Sequence, residues 1–191
     1  MDYLIQENKK QRNSSKNQHL GKVNFWEKNA NGISGKTTNG SFKLSIFRED
    51  IIRIQASLFN EFETNPYSVI ASPQPVDFSV AEEGNTLYLE TSLISVQLQL
   101  DSFKLTFFNS KGNLLNEDDS LSVSWIGTEV SAYKSVQEGE RYLGLGEKTG
   151  NLDRKGKAYT NWNTDYFAYG VGDDPLYLSI PFYIGTHEKG S

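Results

Sequence analysis

"GSFKLSIFREDIIRIQASLF", residues 40–59, alternates in hydrophobicity with a period of two. Phe42, Leu44 and Ile46 are separated by Lys43 and Ser45, and beyond "RED" Ile52, Ile54 and Ala56 are separated by Arg53 and Gln55. A backbone that places successive side chains on opposite faces is a β-strand, so the stretch predicts a β-hairpin with Arg48, Glu49 and Asp50 at or near its turn.

Working outward, "NTLYLETSLISVQLQLDSFKLTFFNSKGNLLNEDD" (85–119) repeats the pattern. Leu87, Leu89, Thr91 and Leu93 share one parity, whereas Ile94, Val96, Leu98 and Leu100 share the other. A one-residue slip flips every side chain to the opposite face, so a tight turn or a β-bulge is predicted near Ser92 to Ile94. Phe103, Leu105 and Phe107 then lead to "NSKGN", a turn with a glycine for positive φ. Leu121, Val123 and Trp125 define one further strand face, and Leu176, Leu178 and Ile180 another. Pro181 has no N–H to donate, so the last strand is predicted to lie at an edge, to bulge, or to end there. No stretch carries a sustained helical stripe. Short strands with frequent turn signals predict an all-β fold, an antiparallel β-sandwich. "NEFETNPYSVIASPQPV" (60–76), rich in proline, is predicted to be an irregular connector.

The 191 residues fit one domain with a sizeable core. The organisation expected is a polar leader over residues 1–20 and a β-sandwich domain over 21–191. A net charge of −5 with scattered acids and bases argues against a nucleic-acid partner, which would require a basic stripe. The leader lacks the apolar core of a signal peptide, and no segment approaches the roughly 18 apolar residues of a membrane span, so no membrane partner and a cytoplasmic setting are expected. There is no cysteine, and His19 and His187 stand at opposite ends of the chain. Neither a metal nor a cofactor is expected.

Several short motifs bear on chemistry. No G-x-S-x-G elbow accompanies the serines. "YLGLGEKTG" (142–150) has the wrong spacing for a phosphate loop and carries Glu147, which would repel phosphate. Its glycines instead predict a tight strand end, at which Gly144 and Gly146 allow close backbone approach. "NEDD" (116–119) and "GDDP" (172–175) could each contribute oxygens to calcium, but Asp and Asn also populate turns, the reading preferred for both. Finally, "YTNWNTDYFAYGVGDDPLYLSIPFYIG" (159–185) crowds aromatic rings among turn residues. That mixture suits either sugar binding, with rings stacked on C–H faces and carboxylates or amides on hydroxyls, or aromatic plugs beneath a long loop.

The run from Arg141 to Gly190 resembles the N-terminal domain of glycoside hydrolase family 31, the α-glucosidases and α-xylosidases. The matching pieces are Gly144-Leu145-Gly146-Glu147, Leu152-Asp153-Arg154 with Gly156, Trp162-Asn163-Thr164-Asp165, and Asp174-Pro175-Leu176-Tyr177 running into Ser179-Ile180-Pro181-Phe182. They are colinear over about fifty residues, and strands upstream extend the likeness to about residue 40. The resemblance implies a galactose-mutarotase-like β-sandwich preceding a (β/α)₈ barrel. It further implies retaining hydrolysis of an α-linked oligosaccharide or glucoside by two carboxylates about 5 to 5.5 Å apart, both belonging to the barrel. The catalytic residues are therefore expected outside this chain, and its own barrel is the implied partner. Asp165 is the implied substrate-binding residue, accepting hydrogen bonds from sugar hydroxyls. Glu147 and Arg154 are expected to pair at the loop base, with Trp162 packed beneath the loop. Tyr166-Phe167-Ala168 departs from the family pattern of a smaller residue, an aromatic and a glycine. A stand-alone carbohydrate-binding module and a structural domain that forms a homo-oligomer remain as alternative readings.

Overall fold

In the computed structural model, residues 17–62 and 67–188 are described. In chain order the strands are β1 (Gln18–His19), β2 (Val23–Asn29), β3 (Gly32–Thr37), β4 (Ser41–Arg48), β5 (Ile51–Ser57), β6 (Ser79–Glu83), β7 (Thr86–Glu90), β8 (Ile94–Gln99), β9 (Lys104–Asn109), β10 (Leu114–Ile126), β11 (Glu129–Lys134), β12 (Arg141–Gly146) and β13 (Ser179–Thr186). No helix occurs among the described residues. The chain divides into two compact units, Met1–Ser135 and Val136–Ser191.

The first unit is an antiparallel β-sandwich. One sheet has the order β2-β3-β4-β5, and the other has β1-β10-β9-β8-β7-β6 with β11 also on β10. The two inner faces share one core. Phe42, Leu44 and Ile46 come from the smaller sheet, and Leu87, Leu89, Val96, Leu98 and Leu105 from the larger. Phe42 is fully buried and meets Phe103 with ring centroids 5.0 Å apart at a tilt of 55°. Burying rings of this size supplies a large part of the apolar driving force.

The hairpin predicted over residues 40–59 is β4 and β5, turning at Glu49-Asp50. Leu44 stands opposite Ile54 and Ile46 opposite Ile52, so both strands aim their apolar residues at the same face. Ile54 nevertheless stays exposed, because β5 is the last strand of its sheet and is covered on only one flank. The parity change at Ser92 to Ile94 is a tight turn. The Thr91 amide donates to the Ile94 carbonyl at 2.9 Å, and the Ile94 amide donates to Thr91 Oγ1 at 3.0 Å. The proline-rich connector carries no strand among its described residues. Residues 1–16 of the polar leader lie outside the described residues, whereas Gln18–His19 pairs with β10 and Leu20 enters the core.

Two readings are corrected. "NEDD" is neither a turn nor a calcium site: it lies within β10, where the register shifts between Asp118 and Val123. Asp118 is buried there, accepting the Leu105 amide at 3.0 Å and the Ser122 hydroxyl at 2.9 Å and pairing with Lys134. Its carboxylate thus satisfies donors freed where the ladder is irregular. For the same reason Leu121 leaves the face it was predicted to share with Trp125. Ser122 adopts φ 49°, and Leu121 is exposed whereas Trp125 is buried.

The second unit is built on β12 and β13, paired antiparallel and joined by the long loop 147–178. The final strand starts at Ser179, later than the alternation from Leu176 suggested. Leu176 is fully buried, but Leu178 and Ile180 are exposed, so the three do not share the one strand face predicted for them. Pro181 lies in the bulged stretch of β13, between Ser179 and Tyr183, where the register shifts against Gly144 and Gly146. This matches the bulged placement foreseen for a residue without an N–H.

Candidate functional site

Loop 147–178 is shaped by its attachment to β12. Gly144, Leu145 and Gly146 all have positive φ, at 121°, 71° and 79°. A Cβ on Gly144 would stand 2.6 Å from the Phe182 carbonyl oxygen, and one on Gly146 would stand 2.6 Å from that of Leu178. Both glycines are therefore required by close backbone approach. Past the bulge, the Glu147 amide donates to the Leu178 carbonyl at 2.7 Å, closing the loop base.

Arg154 and Glu147 each hold this loop, but not through each other. The Arg154 guanidinium donates to the carbonyls of Asn151 (2.7 Å), Thr149 (3.2 Å) and Lys148 (3.4 Å), and it lies 5.7 Å from the centre of the Tyr159 ring. Five fixed N–H groups suit it to gathering the carbonyls of a tight turn better than to a single ion pair. Glu147 accepts the Tyr169 hydroxyl at 3.2 Å, an interaction that raises the pKa of that phenol. Asp153 accepts the amides of Lys155 (3.0 Å) and Tyr142 (3.1 Å), which hold its carboxyl below the ordinary value. On β12, burial and a hydrogen bond to Glu140 push the Tyr142 phenol upward.

The loop contains one feature that the sequence reading missed. The Lys148 side chain is fully buried, donating to Asp174 at 2.6 Å, to the Thr160 carbonyl at 2.7 Å and towards Ser179 Oγ at 3.5 Å. Asp174 also accepts the Thr160 amide. Burial opposes ionisation of Asp174, but the hydrogen bonds from Lys148 and Thr160 outweigh it and hold its pKa down. Asp173 meanwhile closes a turn by accepting the Gly170 amide at 2.7 Å, so the turn reading of "GDDP" holds for this residue. No group of His, Cys, Asp and Glu among the described residues could hold a metal ion.

These anchors fix the segment that carries Asp165. Asn163 Oδ1 accepts the Ser179 amide at 2.7 Å, and the Thr164 amide donates to the Leu176 carbonyl at 2.9 Å. On the far side, the Tyr177 hydroxyl donates to the Tyr166 carbonyl at 2.7 Å. Asp165 is thus held by bonds to both neighbours, yet it is exposed, and among the described residues its carboxylate has no partner. Trp162 does not pack beneath the loop: it is 71% exposed and, with Asn161 and Pro181, lines an open depression of about 460 Å³. Phe167 is almost wholly exposed at the loop tip, and Ala168 follows it at φ 55°, a conformation more natural to glycine.

The described residues thus form an all-β domain, a β-sandwich unit followed in the chain by a braced loop that offers one unpaired carboxylate. Residues 41–191 match the glycosyl hydrolase 31 N-terminal galactose mutarotase-like domain, and the chain belongs to this family. Alpha-glucosidase 2 of Bacillus thermoamyloliquefaciens is 31% identical over 175 residues, which are 90% of this chain and 22% of that enzyme. The alpha-xylosidase XylQ of Lactiplantibacillus pentosus is 24% identical over 74% of this chain and 19% of its own length. A dextranase of the same family from Flavobacterium johnsoniae, solved with isomaltotriose, superposes with a TM-score of 0.83 at 29% identity, covering 88% of this chain and 21% of that one. The chain therefore spans about a fifth of the length of these relatives.

Proposed function

We propose that this domain presents Asp165 to the sugar bound by an α-glucosidase-type retaining glycoside hydrolase, whose catalytic (β/α)₈ barrel belongs to the same parent protein. The observation that carries this reading is the pairing state of Asp165: an unpartnered carboxylate held between Thr164 and Tyr166, both fixed by hydrogen bonds. A carboxylate so placed needs no reorganisation to accept hydrogen bonds from two vicinal hydroxyls, and charge-assisted bonds of that kind are the stronger ones. In the barrel, one carboxylate would attack the anomeric carbon while a second protonates the leaving oxygen, then activates the water that releases the sugar. The role of Asp165 is to hold the sugar in register for that attack. An α-glucosidase and a dextranase among the relatives favour an α-linked glucoside as substrate.

Replacing Asp165 by Ala in the full-length parent is expected to lower kcat/KM by roughly 10- to 150-fold, the equivalent of about 1.5 to 3 kcal/mol for a hydrogen bond to a charged group. Asp165→Asn, which keeps one acceptor, should fall between the two. Unchanged kinetics in Asp165→Ala would refute the assignment.

A further inference from the structure

The first unit carries a groove that the family assignment leaves without a role. It has a volume of about 470 Å³ and lies at the end of the larger sheet where the β7–β8 and β9–β10 turns meet. On β8, Val96 and Leu98 are buried in the core, so the alternation sends Ser95 and Gln97 to the outer face. Phe108 stands directly opposite Ser95 on β9 and shares that face, half-buried. Glu90 adds a carboxylate from the end of β7, and Asn109, the last residue of β9, lines the groove while its Oδ1 accepts the amides of Lys111 and Asn113.

The chemistry of this lining is selective. No Lys, Arg or His borders the groove, so nothing there would offset the desolvation of a phosphate or a carboxylate. Neither does it suit a wholly apolar guest, since most of its residues are polar. The Gln97 amide, with two donors and an acceptor, has no partner among the described residues. Among the described residues Glu90 is tied only by a long 3.4 Å contact from Ser95 Oγ, which leaves most of its accepting capacity open. An aromatic ring beside an unpaired amide and a carboxylate with most of its accepting capacity open complements a molecule with C–H surfaces and a rim of neutral hydroxyls.

We infer that this groove binds a neutral oligosaccharide, with Phe108 beneath a sugar ring and Gln97 and Glu90 on its hydroxyls, at a site separate from Asp165. Such a site would keep a polymeric substrate attached to the protein between turnovers, raising its effective local concentration.

The 191-residue chain should be titrated with isomaltotriose, following both heat and backbone amide shifts. Saturable binding is expected, with shifts centred on residues 90–97 and 108–112. It should weaken at least about tenfold in Gln97→Ala, an outward residue whose loss leaves the core intact, and in Phe108→Leu, which keeps the apolar volume but not the ring. Val130→Ala, at an exposed position of β11 outside the groove lining, should bind as the unaltered chain does. Three results would overturn the inference: no saturable signal up to roughly 20 mM, well beyond the millimolar range of weak complexes; undiminished binding in Gln97→Ala; or amide shifts confined to residues 159–179, which would place the sugar on the loop. Because the Asp165 proposal is judged by the kinetics of the parent enzyme, either reading can fail without the other.

Discussion

At the scale of single residues, the ion pair of Lys148 and Asp174 anchors the loop from within. Removing one partner of a buried pair strands the other charge, and Lys148→Met should destabilise the second unit by about 3 to 5 kcal/mol. The pH dependence follows from Asp174. Its folded pKa lies below the value of about 3.9 that an unfolded Asp shows, so the unfolded chain takes up the proton first as pH falls. The stabilisation is complete above that unfolded value and is lost as pH falls through the folded one. The amide protection factor of Thr160 should therefore be flat from neutral pH to about 4 and decline below it, and Asp174→Asn should remove most of this dependence. A decline beginning near pH 6 would rule out Asp174 as its origin. The sequence marks Asp174 as one of two turn aspartates and as part of the family-like run, but not as half of an ion pair. Its lysine is 26 residues away, and a buried lysine in a loop leaves no local pattern.

At the scale of elements, periodicity was a good guide wherever a strand packs a single face on the core, as in β4, β7 and β8. It failed where the backbone departs from the ladder. Leu121 follows the parity of Trp125, but the bulge at Ser122 turns it outward, and no alternation encodes that turn. Leu176 continues the parity of Ile180, yet it is buried ahead of the strand while Asn163 occupies the amide of Ser179. The glycines fared better, because the need for a bare Cα is written in the residue type itself. Two of them give a matched test. A Cβ on Gly146 would meet backbone atoms at 2.6 and 2.8 Å, whereas one on Gly150, at a similar φ of 84°, would meet nothing within 4 Å. Gly150→Ala should cost only the left-handed conformation, about 1 to 2 kcal/mol. Gly146→Ala adds the displacement of β13 and should cost clearly more by urea denaturation. Equal losses would mean that the close approach of β12 and β13 is not what fixes this glycine.

At the scale of the whole molecule, stability and the proposed function are assigned to separate residues, and this separation can be measured. Phe42, fully buried against Phe103 between the two sheets, makes contacts that a smaller side chain cannot replace. Phe42→Ala should lower the unfolding free energy by about 3 to 5 kcal/mol, as expected for emptying a large site in a close-packed core. Among the described residues the Asp165 side chain makes no hydrogen bond or ion pair, and Asp165→Ala should leave the unfolding free energy measured in urea within about 0.5 kcal/mol of the unaltered chain. A residue that merely supported the loop would show the opposite: its truncation would lower stability first and activity only through misfolding. The decisive comparison is therefore Asp165→Ala against Asp174→Asn, one on an unpaired carboxylate and the other on a paired one in the same loop. If Asp165→Ala proved as destabilising as Asp174→Asn, then Asp165 would be a structural residue, and the proposal that it awaits a sugar would fall.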